Sequence, residues 1–180
     1  LMNEILAADL FRFNRKKGVW NCLKTAVAKP EFRYVLFLRW YQSRRWHFFD
    51  RFLLRMATFR TGIQVGWHTQ IGKGFLIVHF GDIAINNACV IGENVTVSHG
   101  VTIGLASRGA RMGCPTIGNH VWIGSNAVVV GNVTIGDDVL VAPLAYVNTD
   151  VPSHSVVVGN PAVIHPRTNA TESYIVNTDY

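Results

Sequence analysis

The chain has 180 residues, of which 49% are hydrophobic and 16% charged, a balance typical of a folded globular protein and not of a disordered one. Its net charge of +6 is uneven: residues 1–60 hold 13 Lys and Arg against 4 Asp and Glu, whereas residues 61–180 hold 4 against 7. No secretory signal and no uninterrupted apolar run of about 18 residues is recognisable, so we expect neither secretion nor a membrane-spanning helix.

Three cysteines, Cys22, Cys89 and Cys114, are odd in number and scattered along the chain. This pattern predicts free thiols and a cytoplasmic location, because reducing compartments keep such cysteines unpaired. The histidines and cysteines show no spacing typical of a metal site, so we predict no metal.

The first 61 residues predict a helical segment that is basic and rich in aromatic residues. Helices are expected over 3–13, 20–28 and 31–59, the second ended by Pro30 and the third either bent or divided near Ser43. Cations alternate with aromatic residues in the third, at Arg39, Trp40, Tyr41, Arg44, Arg45 and Trp46.

This alternation fits an interfacial helix better than a nucleic-acid surface. We therefore expect residues 24–60 to contact the inner face of a membrane or a lipid-linked substrate, and we expect no nucleic acid as partner. The alternative is a solvated helix face whose aromatic residues pack against the rest of the chain.

From residue 62 onward an aliphatic residue returns every six positions. The series is clearest at Ile117, Ile123, Val129, Ile135, Val141 and Val147, and it is visible upstream at Val65, Ile71, Ile77 and Ile83. Six is neither the helical period nor strand alternation, so the pattern predicts short stacked strands joined by tight turns. We expect a mainly-β solenoid domain over 62–167 and a polar tail over 168–180 that frays or wraps around a partner subunit.

The period fails at two places. After Ile83 it resumes two residues out of phase at Ile85, and Ile103 and Ile117 are then 14 residues apart where a multiple of six would give 12. A solenoid accommodates extra residues by extruding them as loops, which commonly form the binding face. We therefore expect the functional site near residues 79–83 and 104–115.

The hexapeptide series and three further elements resemble the serine acetyltransferase branch of the hexapeptide acyltransferases. The elements are HFGDI at 79–83, VTIG at 101–104 and VVVGNPA at 156–162. The resemblance covers residues 62 to about 167 and is closest to the O-acetyltransferases of capsule and exopolysaccharide synthesis. It implies a left-handed parallel β-helix of roughly five or six coils, a homotrimer, and acetyl transfer from acetyl-CoA to a hydroxyl group.

By this resemblance His79 is the catalytic base. An alcohol attacks a thioester poorly until its proton is removed, and a neutral imidazole can accept that proton near neutral pH. Asp82 could supply a carboxylate that orients His79, although its turn propensity alone explains an Asp beside Gly81. His99 could line the acetyl pocket or position the acceptor, or it could simply bond a loop carbonyl.

The residues that align with the family's acceptor pocket have lost charge. Gln64 stands where the resemblance implies the orienting carboxylate, Val78 where it implies an acceptor-binding carboxylate, and Gly113 and Cys114 where it implies an Arg–His pair. A pocket without countercharges disfavours a zwitterion, because a desolvated unpaired charge is costly. We therefore expect a neutral acceptor, such as a sugar of a capsular or exopolysaccharide unit.

Two alternatives remain open. One is a serine O-acetyltransferase of cysteine biosynthesis that holds serine differently, and the other is a non-catalytic trimeric β-helix that serves as a binding module. In either enzyme, the resemblance implies that acetyl-CoA lies in the groove between coils. Its implied contacts are Gly104, Leu105, Gly124 and Ser125 near the thioester, Pro143 and Asn160 along the pantetheine and adenine, and Arg167 at a phosphate.

Overall fold

The computed structural model describes residues 4–43 and 48–180. Helices come first, and they are α1 (Glu4–Asn14), α2 (Val19–Ala28), α3 (Pro30–Ser43) and α4 (Phe48–Thr61). The segment over 31–59, expected to be bent or divided near Ser43, contains α3, which ends at Ser43, and α4, which begins at Phe48. Pro30 is the first residue of α3, where a missing N–H and a fixed φ cost nothing. Residues 44–47 lie outside the described residues, so Arg44, Arg45 and Trp46 of the predicted interfacial pattern are not placed.

Short strands joined by turns follow α4 as far as Pro166. Their bounds are β1 (Gln64–Val65), β2 (Gln70–Ile71), β3 (Leu76–Val78), β4 (Ala84–Ile85), β5 (Val90–Ile91), β6 (Thr96–Ser98), β7 (Thr102–Gly104), β8 (Thr116–Ile117), β9 (Val121–Ile123), β10 (Val128–Val130), β11 (Thr134–Ile135), β12 (Val139–Val141), β13 (Tyr146–Val147), β14 (Ser155–Val158) and β15 (Val163–Pro166).

The strands form three parallel sheets that are the faces of one prism. Sheet A has the order β1-β4-β7-β10-β13, sheet B the order β2-β5-β8-β11, and sheet C the order β3-β6-β9-β12-β14, with β15 added antiparallel at its end. Each of five coils passes through the three sheets in turn, and the last coil joins sheet B through the single bridge of Val151 to Ile135. The predicted mainly-β solenoid with an N-terminal helical segment is confirmed.

The period-six aliphatic residues fill the interior of the prism. Ile77, Ile103, Ile123 and Val147 are at most 1% exposed, and each stacks on its equivalent in the neighbouring coil. At the corner between sheets C and A the backbone adopts a positive φ in every coil, which favours Gly, Asn and Asp over other residues. The residues at this corner are Gly62, Asp82, Gly100, Asn126 and Leu144.

The two interruptions of the period have different sizes. A regular coil advances 18 residues, as from Ala84 to Thr102 in sheet A. The first coil advances 20, from Gln64 to Ala84, and its two extra residues lie at the corner that holds His79. The third advances 26, from Thr102 to Val128, so its loop contains eight extra residues. The spacing of Ile103 and Ile117 had suggested a loop with only two extra residues, because it was compared with two periods of six. Neighbouring strands of sheets A and B are one period apart, so the loop is longer than that.

The helical segment is fixed to the first coil by buried polar contacts. Arg39 of α3 pairs with Asp9 of α1 at 2.8 Å and donates to the carbonyl oxygens of Ile71 and Gly72 at 2.7 and 2.6 Å. Asp9 in turn accepts a hydrogen bond from the backbone N–H of Phe75 at 2.9 Å. None of the described helices is long and apolar enough to cross a bilayer.

The polar tail contacts its own chain. Asp138 accepts from the N–H groups of Ala170 and Thr171, Tyr174 packs on Trp122, and the Tyr180 hydroxyl donates to Asn94. The side chain of Asn177 reaches the Arg12 carbonyl of α1 at 3.2 Å. The expectation that this segment frays is wrong, because it bonds to successive coils and to α1 of its own chain, whereas the expectation that it wraps around a partner stays a prediction.

Candidate active site

His79 lies immediately after β3, at the corner between sheets C and A. Strand pairing places it level with His99, and it places His99 level with Ser125 and Ser125 level with Pro143. The rings of His79 and His99 are 6.1 Å apart in an edge-on arrangement, and the Ser125 hydroxyl is 3.5 Å from His99 Nδ1. Four residues predicted from the sequence, two catalytic and two cofactor-binding, therefore form one column along this corner.

No carboxylate holds the His79 imidazole. Across residues 4–43 and 48–180 its side chain forms no hydrogen bond, and its ring contact is with His99. Asp82 lies three residues further on in a left-handed conformation, one coil above Gly62, and is not bonded to His79. Gln64 belongs to β1, where it pairs with Ala84. The exposed imidazole is thus free to meet a substrate hydroxyl.

A shallow groove of about 360 Å³ runs along the outer surface of sheet A. Gln64 begins it and Gly104 ends it, with Asn86 between them. Val78 is not part of this groove, because it ends β3 in sheet C and is half-buried beside His79.

Sequence reasoning missed a second cavity that adjoins this groove. It encloses about 500 Å³ between the helical segment and the first coil, and Gln64 contributes to both spaces. Arg55, Phe59 and Trp67 line it together with Tyr34, Thr58 and Val65. The Tyr34 hydroxyl accepts from the backbone N–H of Val65 at 2.9 Å, which closes the inner end. No sequence period could reveal this cavity, since its walls come from two kinds of structure.

Gly113 and Cys114 lie at a different corner from His79. They end the loop that leaves sheet A after β7 and enters sheet B at β8, and Gly113 pairs antiparallel with Ala106 at the base of that loop. The Cys114 thiol donates to Asn86 Oδ1 at 3.3 Å. Within one chain the full width of sheet A therefore separates these two residues from the proposed base.

Cys114 also adjoins the buried thiol of Cys89. Burial first, and then the neighbouring Cys114 thiol, raises the pKa of Cys89 to about 12. Cys89 is consequently a neutral thiol at physiological pH, and Cys114 is the half-exposed member of the pair. All three cysteines are free, as the sequence predicts.

The other residues predicted to bind the cofactor are spread over the third, fourth and fifth coils and β15. Gly104 ends β7 and Leu105 follows it. Gly124 is buried so close to the next coil that a Cβ would lie 2.6 Å from the nitrogen of Pro143. Asn160 is exposed in the turn after β14. Arg167 lies at the corner between sheets B and C, where its N–H donates to the His154 carbonyl, so sheet C separates it from the His79 column.

Comparison with known proteins agrees with this arrangement. A model of the bacterial transferase hexapeptide family (six repeats) matches residues 114–149. The serine acetyltransferase of Helicobacter pylori is 39% identical over 120 residues, which cover 67% of this chain and 70% of that protein. The serine acetyltransferase of Synechococcus elongatus is 31% identical over 165 residues, covering 89% of this chain and 67% of the other.

The crystal structure of Neisseria gonorrhoeae serine acetyltransferase in complex with serine is similar with a TM-score of 0.73 and 26% identity, over 90% of this chain and 68% of that one. The similarity extends through the helical segment as well as the coils. The chain therefore belongs to the serine acetyltransferase family of hexapeptide-repeat proteins and is an O-acetyltransferase that uses acetyl-CoA.

Proposed function

We propose that this enzyme transfers the acetyl group of acetyl-CoA to the hydroxyl of L-serine. The observation that carries the proposal is the 39% identity to the Helicobacter pylori serine acetyltransferase over 70% of its length. The relatives that match over most of their length share that name, which favours serine over the sugar acceptor expected from the charge pattern.

In this reaction His79 is the general base. Its neutral imidazole takes the proton of the acceptor hydroxyl while the oxygen attacks the thioester carbonyl, and the intermediate then expels the CoA thiolate. His99 lies one coil above and is close enough to Ser125 for the pair to line the acetyl end of the site. Since the acceptor attacks the thioester directly, no acyl-enzyme and no Ser or Cys nucleophile is required.

A neutral hydroxyl compound such as a sugar is the second candidate acceptor. The observation in its favour is that Gln64, Val78 and Cys114 offer no formal charge for an ammonium or a carboxylate. The binding of a zwitterion would then depend on charged groups outside these three positions.

We further propose that the active unit is a homotrimer. His79 and the loop that ends at Cys114 lie at opposite edges of sheet A, so a complete acceptor pocket needs the loop of one copy beside the His79 corner of another. Sedimentation analysis of the purified chain tests this, and a monomer with full activity would rule it out.

The acceptor is tested by following CoA release from acetyl-CoA with L-serine, with a panel of neutral sugars, and with no acceptor. We expect release that saturates with serine and is absent without an acceptor. Release with sugars alone would select the second candidate, and a chain that binds no acetyl-CoA would be a binding module instead of an enzyme.

A further inference from the structure

Helix α4 exposes large apolar side chains on the side opposite its buried residues, and Phe59 among them also lines the cavity between the helical segment and the first coil. Phe48, Phe52 and Phe59 are 91%, 56% and 82% exposed. With about 100° of rotation per residue, these three side chains fall within about 40° of one another. Leu54 and Ala57, which are buried, lie on the opposite side of the helix. The helix is therefore apolar both toward the protein and away from it.

The exposed residues form a continuous surface, here called the α4 outer face, which comprises Phe48, Phe49, Phe52, Met56 and Phe59. Single exposed apolar residues are ordinary, but a cluster of four phenylalanines and a methionine on one helix marks an interaction site. Met56 also lines a groove of about 280 Å³ between α3 and α4, together with Phe37. The apolar surface thus continues from α4 onto α3.

The edges of this face are uniformly basic. By the same rotation, Arg51 and Arg55 lie along one edge and Arg60 along the other. The acidic residue of the helix, Asp50, is buried on the inner side. In the part of the chain that the structure describes, Arg55 and Arg60 form no ion pair, whereas Arg51 stacks on the ring of Trp67 at 4.4 Å. Two exposed guanidinium groups are therefore available to an anionic partner.

The charge of these edges decides what covers the face. A second copy that packed face to face through this same surface would bring arginines against arginines, which is unfavourable at close range. The trimer proposed above joins its copies at the edges of sheet A and not through this face. An anionic bilayer supplies both an apolar interior for the phenylalanines and phosphate groups for the arginines. Helices that lie in the membrane interface combine an apolar face with basic flanks in this way.

We propose that the α4 outer face docks on the surface of an anionic lipid bilayer. Phe48, Phe52 and Phe59 enter the boundary between headgroups and acyl chains, while Arg55 and Arg60 meet lipid phosphates. The helix is 14 residues long and lies parallel to the surface without crossing it. This inference is independent of the acceptor, because it concerns where the enzyme works and not which hydroxyl it acetylates.

The test is co-sedimentation of the full chain with sucrose-loaded vesicles of phosphatidylcholine, with and without about one third phosphatidylglycerol. We expect binding to the anionic vesicles that weakens as salt is added, and little binding to the neutral ones. Phe48→Ser with Phe52→Ser should abolish binding. Met112→Ser with Val163→Ser, which removes two apolar side chains that are 64% and 54% exposed elsewhere, should leave it unchanged.

The charge contribution is tested by Arg55→Gln with Arg60→Gln, which should weaken partition into anionic vesicles about thirtyfold. Arg108→Gln with Arg167→Gln lowers the net charge by the same amount and should change the partition into anionic vesicles less than threefold. Circular dichroism verifies that each variant is folded.

Two results would overturn the proposal. One is equal binding, or none, to neutral and anionic vesicles. The other is a change of oligomer mass in the Phe48→Ser, Phe52→Ser variant without a change in vesicle binding, which would assign the face to a second copy.

Discussion

At the scale of single residues, His79 combines a left-handed backbone with an exposed imidazole. Its φ of 62° lies in a region that few residues other than Gly adopt, although Asn, Asp and His are enriched there. The two extra residues lie at this corner, yet His79 stays level with His99, which contacts its ring. The imidazole therefore contributes few contacts to the fold and can serve as a base.

We expect His79→Gln to lower kcat by about 10² to 10⁴ while acetyl-CoA still binds, since a general base acts on the barrier and not on cofactor affinity. Stopped assays of CoA release and calorimetric titration with CoA measure the two effects. His165→Gln, an exposed histidine on β15, is the matched control and should keep normal turnover. Half of the normal kcat in His79→Gln would refute the assignment.

The glycines of the coil differ in how closely a neighbour approaches. A Cβ on Gly124 would meet the nitrogen and Cδ of Pro143 at 2.6 and 2.8 Å, whereas a Cβ on Gly104 would find its nearest atoms at 3.6 Å. Gly124→Ala should therefore destabilise the protein by about 1–3 kcal/mol, and Gly104→Ala by much less. Urea unfolding of the two variants measures the difference, and equal losses would contradict the close approach.

Asp138 joins two coils and the tail through its carboxylate. Burial raises its pKa, but hydrogen bonds from His154, from the Thr171 hydroxyl and from two backbone N–H groups outweigh burial and lower it from 3.8 to about 2. Because the folded state lowers this pKa, the contribution of Asp138 to stability is complete above about pH 4 and is lost as the pH falls toward 2.

Asp138→Asn should thus reduce the free energy of unfolding at pH 6, and the difference from the parent chain should shrink between pH 4 and pH 2. Asp179→Asn, an exposed carboxylate on the tail, should show no such convergence. Denaturation at a series of pH values decides the matter. A difference that stays constant down to pH 2 would show that the carboxylate charge is not responsible.

At the scale of elements, α1 and α3 are held on the first coil by the Asp9–Arg39 pair. Asp9 is fully buried and Arg39 is 6% exposed, so the removal of either charge leaves the other one buried and unpaired. Asp9→Ala should therefore cost about 3–5 kcal/mol. Glu4→Gln, which removes the exposed partner of Lys73, should cost at most about 1 kcal/mol. Chemical denaturation compares them, and a small loss for Asp9→Ala would show that packing alone fixes the helices.

Elements held together by contacts at a fixed sequence spacing could be predicted, whereas contacts between distant segments could not. The coils could be predicted because each period-six aliphatic residue, such as Ile123, is buried by its own neighbours at fixed spacing. Asp9 and Arg39 are 30 residues apart and have no shared period, so nothing in the sequence pairs them. The loop length was misjudged for a related reason, since counting its extra residues requires knowing that β7 and β8 belong to adjacent sheets.

The residues of the candidate site also divide into those that a sequence pattern indicates and those that only the packing of distant segments brings together. The family resemblance directs attention to His79, and strand pairing then adds His99 and Ser125 to its column. That Gly113 and Cys114 lie across sheet A from the base depends on which corner the loop leaves. The cavity that contains Arg55 depends on where α4 docks. Neither can be predicted from residue types alone, because both are consequences of packing between distant segments.

At the scale of the whole molecule, the tail runs back across the coils toward the helical segment. A stacked solenoid is stabilised mainly by contacts between neighbouring repeats, which allows separate regions to unfold independently. The hydrogen bond from Asn177 to the Arg12 carbonyl joins residues that are 165 positions apart, so it couples the unfolding of the tail to that of the helical segment.

Removal of residues 168–180 should therefore broaden the urea unfolding transition and increase hydrogen exchange at both ends of the prism. Exchange should increase at the first coils because Arg12 would lose its contacts with Asn177 and Tyr180. Arg12 in turn donates to Thr96 of β6 at 2.6 Å. Exchange that rises only in the last coil would show that the tail stabilises its immediate neighbours and nothing further.

The same tail has a consequence for how the protein is made. The helical segment is translated before the coils, yet Asn177, which contacts Arg12 of α1, follows it 165 residues later. Until residues 174–180 emerge, Arg12 lacks the contact with Asn177 and the side of α1 that the tail covers is open to water or to other chains. The contact between α1 and the coils is therefore completed only after translation of the tail, and any factor that shields the nascent chain until then would act on the helical segment.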